Sequence, residues 1–186
     1  MVAGNETSSN ALTWTLYLLA QHPEYIGQIR EEIAAVIGGA AIDFANLHQL
    51  ELTMRCINEA LRLYPPFWMI DRIALRDDEV GAVHITAGSL VIPYIYGTHR
   101  NPAHWQHVES FDPGRFEASR SKLRHPFAYI PFGGGPRICI GNNMAVAVAQ
   151  AFVFVAICWM VFRMAQRAAG ERAAIAAAAM TALYSP

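Results

Sequence analysis

The chain has 186 residues, of which 54% are apolar and 16% are charged, and its formal net charge is −1. This length and apolar content suffice for a packed core, and they argue against a disordered chain. A protein that binds nucleic acid through phosphate contacts carries a clearly basic balance, so the charge argues against that class as well. Three cysteines without a C-x-x-C pair indicate neither a disulfide framework nor a four-cysteine zinc site, and they fit a reducing compartment. Cys56 and Cys158 lie in apolar helical patterns, so both are predicted to be core thiols.

Hydrophobic periodicity and proline positions predict three helices in the first third of the chain. Apolar residues recur at helical spacing within residues 7–20, 23–37 and 52–63. Pro23 stands in the first turn of the second helix, and the dipeptide at 38–39 ends it. A proline pair at 65–66 ends the third helix.

The rest of the chain predicts small strands, a long irregular segment and one more helix. Alternating patches predict strands at 80–85 and 90–96, joined by a turn through 86–88. Residues 100–129 are polar, rich in proline and without clear periodicity, which is typical of a functional segment. A long apolar helix is expected from about Asn142. The predicted fold class is mainly α with small β-sheets.

An uncharged run in the last predicted helix has two interpretations. Residues 144–162 pass without a formal charge, which is close to the length of a membrane-spanning helix. We favour a helix buried in a soluble protein, because the run contains Gln150, is rich in alanine and begins beside a cysteine loop. The first residues carry neither a basic flank nor an apolar run, so no signal peptide is predicted.

The third helix carries an acid–base pair with one further candidate partner. Glu59 and Arg62 are separated by three residues, so their side chains share a helix face. An isolated pair of this kind is an ordinary surface ion pair. This helix is mostly apolar, however, and a buried pair needs further partners, which Arg115 in the irregular segment would supply.

The N-terminal residues 3–8, A-G-N-E-T-S, also have two interpretations. They form either a helix start, in which hydroxyl and acid groups satisfy free backbone N–H groups, or an acid–alcohol pair. In the second case Glu6 and Thr7 pass protons to a bound group beside small Ala3 and Gly4.

The most informative motif is F-G-G-G-P-R-I-C-I-G over residues 132–141. Three consecutive glycines weaken regular structure, so they indicate a turn or a close approach of the backbone to a large flat group. Cys139 lies before a helix and close to Arg137, and both neighbours favour the thiolate form. The glycines match neither a dinucleotide-binding nor a phosphate-binding loop. A nucleophilic cysteine needs a nearby base, which the sequence does not locate, so a single-thiolate metal ligand remains.

These motifs together resemble the haem-thiolate monooxygenases, the cytochrome P-450 superfamily. Residues 132–141 match F-x-x-G-x-R-x-C-x-G at every fixed position, and residues 59–62 match E-x-x-R before a proline pair. Residues 111–116 look like the F-x-P-x-R-F segment of the family, with Arg115 as the third member of a Glu–Arg–Arg network. Residues 3–8 are similar to its oxygen-activation motif A-G-x-[DE]-T-[TS].

The resemblance implies a role for each of these residues around haem b (iron protoporphyrin IX). Cys139 would be the proximal ligand of the iron, and a thiolate ligand in this family favours O–O cleavage. The resemblance also implies loop contacts to the haem from Phe132, Gly133, Gly135 and Gly141. Arg137 would pair with a haem propionate, with Arg72 and His99 as further propionate candidates. Glu6 and Thr7 would be the catalytic residues that deliver protons on the oxygen-binding side.

The resemblance covers the C-terminal part of a longer family fold, so we expect a fragment of one domain over residues 1–186. Its expected segments are a distal-helix remnant (1–20), the E-x-x-R helix (51–63), a meander (100–130), the cysteine haem loop (132–141) and a proximal-side helix (142–163).

The implied reaction inserts one oxygen atom of O2 into a small hydrophobic organic substrate, with electrons from a ferredoxin or a flavin reductase. We expect a cytoplasmic, soluble protein of bacterial type, without nucleic acid or membrane as partner. Two alternatives remain: a non-catalytic fragment with weak or no haem binding, and a membrane-anchored protein that spans at 144–162.

Overall fold

The computed structural model of the protein describes residues 2–38, 44–142, 145, 147–153, 155–156, 159 and 163. The helices are α1 (Val2–Gln21), α2 (Pro23–Ile37), α3 (Phe44–Leu47), α4 (Glu51–Leu63), α5 (Ile95–Thr98) and α6 (Ala118–Leu123). The strands are β1 (Arg72–Ile73), β2 (Asp78–Val80), β3 (Val83–Ile85) and β4 (Leu90–Val91). The described residues after 141 are helical. The predicted class, mainly α with small β-sheets, is confirmed.

The three predicted helices of the first third are present, and the first is longer than predicted. Helix α2 begins at Pro23 and ends at Gly38, whose φ of 52° is left-handed and whose N–H bonds to Ala34 O. Helix α1 begins at Val2 rather than at residue 7, so residues 3–8 lie inside it. The motif therefore occupies the first two turns of the described helix, and its interpretation as a helix start stays a prediction.

The strands form two separate two-stranded sheets. Strands β2 and β3 form an antiparallel hairpin with Asp78 opposite Ile85, and Gly81 makes the turn with a φ of 62°. Strand β4 pairs with β1, which lies near residue 72. The predicted turn through 86–88 is present, with Ser89 N–H donating to Thr86 O at 3.0 Å and Gly88 at a φ of 83°. The strands on either side are shorter than predicted, because the chain also turns at Gly81 and because α5 begins at Ile95.

The main core lies between α1, α2, α4 and the helical residues after 141. It contains Leu18, Leu19, Ile29, Ile33, Ile37, Leu47, Leu50, Cys56, Ala60, Leu63, Phe111 and Val153. The prediction that Cys56 is a core thiol is confirmed, since the residue has no exposed surface. Burial and the nearby Glu32 carboxylate raise the pKa of Cys56 to about 12. Cys158, for which the same was predicted, lies outside the described residues.

The membrane alternative concerns a segment that is only partly described. Within the described part of the chain, no helix is both long enough and apolar enough to cross a membrane. Several residues of the uncharged run at 144–162 fall outside it.

Helix α2 also stabilises the start of α4 through one carboxylate. Glu32 accepts hydrogen bonds from the backbone N–H groups of Leu52 and Thr53 and from the Thr53 hydroxyl, the last at 2.7 Å. We expect Glu32→Ala to lower the free energy of unfolding by about 1–3 kcal/mol, because it leaves N–H groups in the first turn of a helix without their acceptor.

Urea unfolding followed by circular dichroism measures this effect. Glu31→Ala removes an exposed carboxylate one residue earlier and should change the free energy of unfolding by less than about 0.5 kcal/mol. Equal losses in the two variants would contradict a specific capping role of Glu32.

Candidate functional site

The E-x-x-R pair is fully buried in the second half of α4. The side chains of Glu59 and Arg62 have no exposed surface, and two parallel hydrogen bonds join them. Arg62 Nε donates to Glu59 Oε2 at 2.8 Å, and Arg62 Nη2 donates to Glu59 Oε1 at 2.9 Å. This bidentate geometry is the strongest form of an arginine–carboxylate contact.

The remaining donors of Arg62 go to backbone carbonyl groups of one distant segment. Arg62 Nη1 donates to His99 O at 3.0 Å and to Val108 O at 2.8 Å, and Nη2 donates to Ser110 O at 3.2 Å. A buried guanidinium is tolerated only when its donors are satisfied. Arg62 therefore fixes the course of the chain between residues 99 and 110.

Arg115 completes the network that the sequence predicted. Its Nε donates to Glu59 Oε1 at 3.2 Å, and its other nitrogens donate to Gln106 O and His107 O. The backbone N–H of Asp112 donates to the same Glu59 oxygen at 3.0 Å. The structure thus brings Glu59, Arg62 and Arg115 together and ties the irregular segment to α4.

The cysteine loop, residues 132–141, is closed by its own backbone. Gly133 and Gly135 have φ angles of 76° and 70°, in the left-handed region that favours glycine. Cys139 N–H donates to Phe132 O at 3.0 Å, so the two ends of the glycine run lie side by side. The Cys139 thiol is exposed. The large apolar side chains of Ile138 and Ile140 beside it are also exposed, at 48% and 102%.

Three side chains anchor the segment directly before this loop. Trp105 Nε1 donates to Ala128 O at 3.3 Å, and the Tyr129 hydroxyl lies 3.0 Å from both the backbone oxygen and the side-chain oxygen of Asn58, either of which can accept its one hydrogen. Ile130 N–H donates to His99 Nε2 at 2.9 Å. The sequence analysis missed the anchors Trp105 and Tyr129. Their only signal is that they are aromatic residues within a polar segment without periodicity.

His99 and Arg72 differ in their surroundings, although the sequence predicted the same role for both. The His99 ring has no exposed surface, so a ligand has no access to it. This geometry does not favour a propionate contact. Burial lowers the pKa of His99 to about 4, with the positive charges of Arg62 and Arg100 acting in the same direction. Arg72 is exposed in β1, and its Nη1 donates to Asp71 O at 2.7 Å. Arg137 is exposed within the cysteine loop.

Glu6 and Thr7 lie in the first half of α1. Glu6 is exposed and Thr7 is half-buried. Ala11, one helical turn after Thr7, packs with Phe132 against a cluster of Ile57, Leu61 and Ala149. Because residues four apart share a helix face, the Thr7 face of α1 continues into this cluster.

An aromatic groove of about 500 Å³ opens between α1 and the segments around residues 65 and 95. It is lined by Asn10, Trp14, Tyr64, Pro65, Pro66, Trp68, Tyr94 and Tyr96. The Trp14 and Tyr64 rings stack with centroids 3.9 Å apart, so this side of the groove is rigidly packed. Pro66 and Trp68 lie in the short apolar stretch over residues 66–70.

A family model and two curated proteins match most of this chain. The family model described as Cytochrome P450 matches residues 1–169. A human protein, "Ultra-long-chain fatty acid omega-hydroxylase", is 38% identical in an alignment of 169 residues that covers 88% of this chain and 31% of that protein. "Cytochrome P450 734A5" of Oryza sativa subsp. japonica is 40% identical in an alignment of 166 residues that covers 87% of this chain and 31% of that protein.

Solved structures agree with the sequence comparisons. The crystal structure of the cytochrome P450DA heme domain superposes with a TM-score of 0.78 at 34% identity, covering 84% of this chain and 35% of that one. The chain therefore spans about a third of the length of the proteins that it matches. The two curated relatives come from human and rice, and they give no support to the bacterial type that we expected. Given the family match over residues 1–169 and the close superposition, the chain belongs to the cytochrome P450 family.

Proposed function

We propose that this chain is the haem-binding part of a haem-thiolate monooxygenase in which Cys139 holds the iron of haem b. The observation that carries the proposal is the exposed Cys139 thiol in a loop turned by two left-handed glycines. A thiolate ligand needs an accessible sulfur and a backbone that leaves room for the macrocycle, and this loop supplies both.

The residues of the loop fit such a cofactor. The exposed apolar side chains of Ile138 and Ile140 flank the thiol, and a flat apolar group would remove them from water. A side chain at Gly133 would be strained by the φ of 76° and would approach Ile70 Cδ1 to 3.4 Å. When bound, the haem would supply the activation of O2.

Two arginines are the proposed partners of the haem carboxylates. Arg137 lies in the same loop as Cys139, and Arg72 lies in β1; both guanidinium groups are exposed. An exposed guanidinium can rearrange to form the bidentate contact that a propionate accepts. His99 is not part of this set, because it has no exposed surface.

On α1, Glu6 and Thr7 are the proposed proton-delivering groups. The Glu6 carboxylate is exposed to solvent, so it can exchange protons with water. The half-buried Thr7 hydroxyl follows it directly and can donate a proton on the inner side of the helix. Together they would carry protons from solvent to the oxygen-binding side.

The proposed substrate is a hydrophobic organic molecule into which one oxygen atom is inserted. The aromatic lining of the groove at Trp14, Trp68 and Tyr94 supports an apolar ligand. The human relative is named as a fatty-acid omega-hydroxylase, and we extend this to a long-chain apolar substrate class for this protein.

The proposed reaction also needs an electron donor, either a ferredoxin or a flavin reductase. Arg120 and Lys122 are exposed in α6, and they are candidates for contact with an acidic donor surface. Arg124 is excluded from this role because its guanidinium lies over the Trp105 and Phe116 rings, at 4.3 and 4.7 Å from their centroids.

The test is the carbon monoxide difference spectrum of the reduced, haem-reconstituted chain. We expect a thiolate-type band that disappears completely in Cys139→Ser, because a serine hydroxyl is not a thiolate donor. Cys56→Ala is the matched control: it removes a buried thiol whose pKa of about 12 keeps it protonated, and the band should persist.

Two outcomes would argue against the proposal. A band that survives in Cys139→Ser would remove Cys139 as the ligand. The complete absence of a band in the unsubstituted chain would favour the alternative of a non-catalytic fragment that binds haem weakly or not at all.

A further inference from the structure

We propose that His99 is a positioning residue that connects the Glu59–Arg62 pair to the cysteine loop through the Ile130 peptide. The inference concerns contacts within the chain itself, and its relevance to catalysis rests on the proposed function of Cys139. The backbone and the ring of His99 form hydrogen bonds with two different parts of the chain. Its backbone carbonyl accepts a hydrogen bond from Arg62 Nη1 at 3.0 Å, and its ring accepts one from Ile130 N–H at 2.9 Å.

The backbone of Ile130 connects His99 to the glycine run through two hydrogen bonds. Its N–H donates to the His99 ring, and its carbonyl accepts a hydrogen bond from Gly133 N–H at 3.0 Å. The next link is the hydrogen bond from Cys139 N–H to Phe132 O at 3.0 Å. A continuous series of hydrogen bonds therefore runs from the buried Arg62 guanidinium to the peptide group of Cys139.

The His99 ring can act as a hydrogen-bond acceptor that is held in one position. Nε2 can accept the Ile130 N–H only when the ring is neutral with its proton on Nδ1. The ring is fully buried and packs beside Tyr129, with ring centroids 5.2 Å apart. The backbone of Arg62 and of Leu61 also interacts with the ring.

A histidine that only fills the core would depend on its shape and not on an acceptor at one atom. Two neutral amide variants separate these roles. The amide oxygen of His99→Gln reaches about as far from the backbone as Nε2 does, whereas that of His99→Asn is shorter and reaches only as far as Nδ1. Both variants have the same polar groups, so they differ mainly in reach.

Amide hydrogen exchange, measured residue by residue on the ligand-free chain, is the first readout. We expect His99→Asn to accelerate exchange at Ile130, Gly133 and Cys139 by roughly five- to tenfold, the effect of losing about one hydrogen bond. His99→Gln should stay within about twofold of the unsubstituted chain at these amides. Exchange at core amides such as Ile57 reports any loss of global stability, so the local effect is the excess acceleration at Ile130, Gly133 and Cys139 over that at the core amides.

The second readout is the fraction of haem-loaded protein with the thiolate-type carbon monoxide band. We expect this fraction to fall in His99→Asn and to be retained in His99→Gln. Equal exchange rates in the two variants, or acceleration spread evenly over the core amides, would overturn the positioning role. If the exchange difference is found and the unsubstituted chain gives no thiolate-type band, the positioning role stands and the proposed haem function fails.

Discussion

Arg62→Ala should unfold the protein or leave it close to unfolding, with a loss of roughly 3–5 kcal/mol in the free energy of unfolding. The substitution leaves the Glu59 carboxylate in a site with no exposed surface and removes its bidentate partner. It also removes the donors that bind the carbonyls of His99, Val108 and Ser110. A domain of this size has a total stability of only about 5–15 kcal/mol, so a loss of this size is large. Urea unfolding followed by circular dichroism measures it.

The same helix offers a matched control for this prediction. Arg55 pairs with Glu117 at 3.2 Å, but both side chains are partly exposed, at 26% and 48%. Solvent screening weakens the attraction between such exposed charges. Arg55→Ala should therefore lower the free energy of unfolding by less than about 1 kcal/mol. Arg62→Lys keeps the charge but not the planar fork, and it should fall between the two. An Arg62→Ala protein with the urea midpoint of the unsubstituted chain would show that the network is dispensable for folding.

Stability should fall as the pH decreases from about 6.5 to about 4 because of His99. Burial holds the pKa of the folded-state ring near 4, while the unfolded chain has the ordinary value of 6.5. Within this window the unfolded state binds a proton that the folded state does not, so protonation favours unfolding. At about 1.4 kcal/mol per pH unit, the contribution of this group is about 3 kcal/mol, and it is fully present above pH 6.5.

Carboxylates also titrate near the lower end of this window, so a comparison isolates His99. The free energy of unfolding is measured between pH 4 and 8 for the unsubstituted chain and for His99→Gln, which cannot titrate at this position. The difference between the two curves should be constant above about pH 6.5 and should change steadily below it, to the disadvantage of histidine. Parallel curves over the whole range would show that the buried ring does not carry the predicted pKa.

The sequence predicted the elements whose signals are local. Helices α2 and α4 follow from apolar spacing and from prolines and glycines at their ends, and the structure has them at nearly the predicted bounds. The predicted strands were less accurate in their bounds, and β1 was not predicted, because β1 and β4 have only two residues each and pair across 17 and 19 positions of the chain. Pairs that short carry little periodicity.

The candidate site shows the same division between local and distant information. The motif around Cys139 and the spacing of Glu59 and Arg62 specify residue types, because a ligand loop needs its glycines and a helical pair needs its three-residue separation. They do not specify the role of His99, for which sequence resemblance indicated a propionate contact. Its surroundings instead depend on residues that lie 37 and 31 positions away.

By itself, then, the sequence determined the family, the buried acid–base pair and the cysteine loop, since each is a compact motif whose chemistry lies in adjacent residues. The tertiary structure decided where their hydrogen bonds go. The fully buried Arg62 guanidinium needs hydrogen-bond acceptors, and backbone carbonyl groups within residues 99–110 supply them. Only the packed chain brings these distant carbonyls to α4, and with them the His99 ring to the peptide that precedes the cysteine loop.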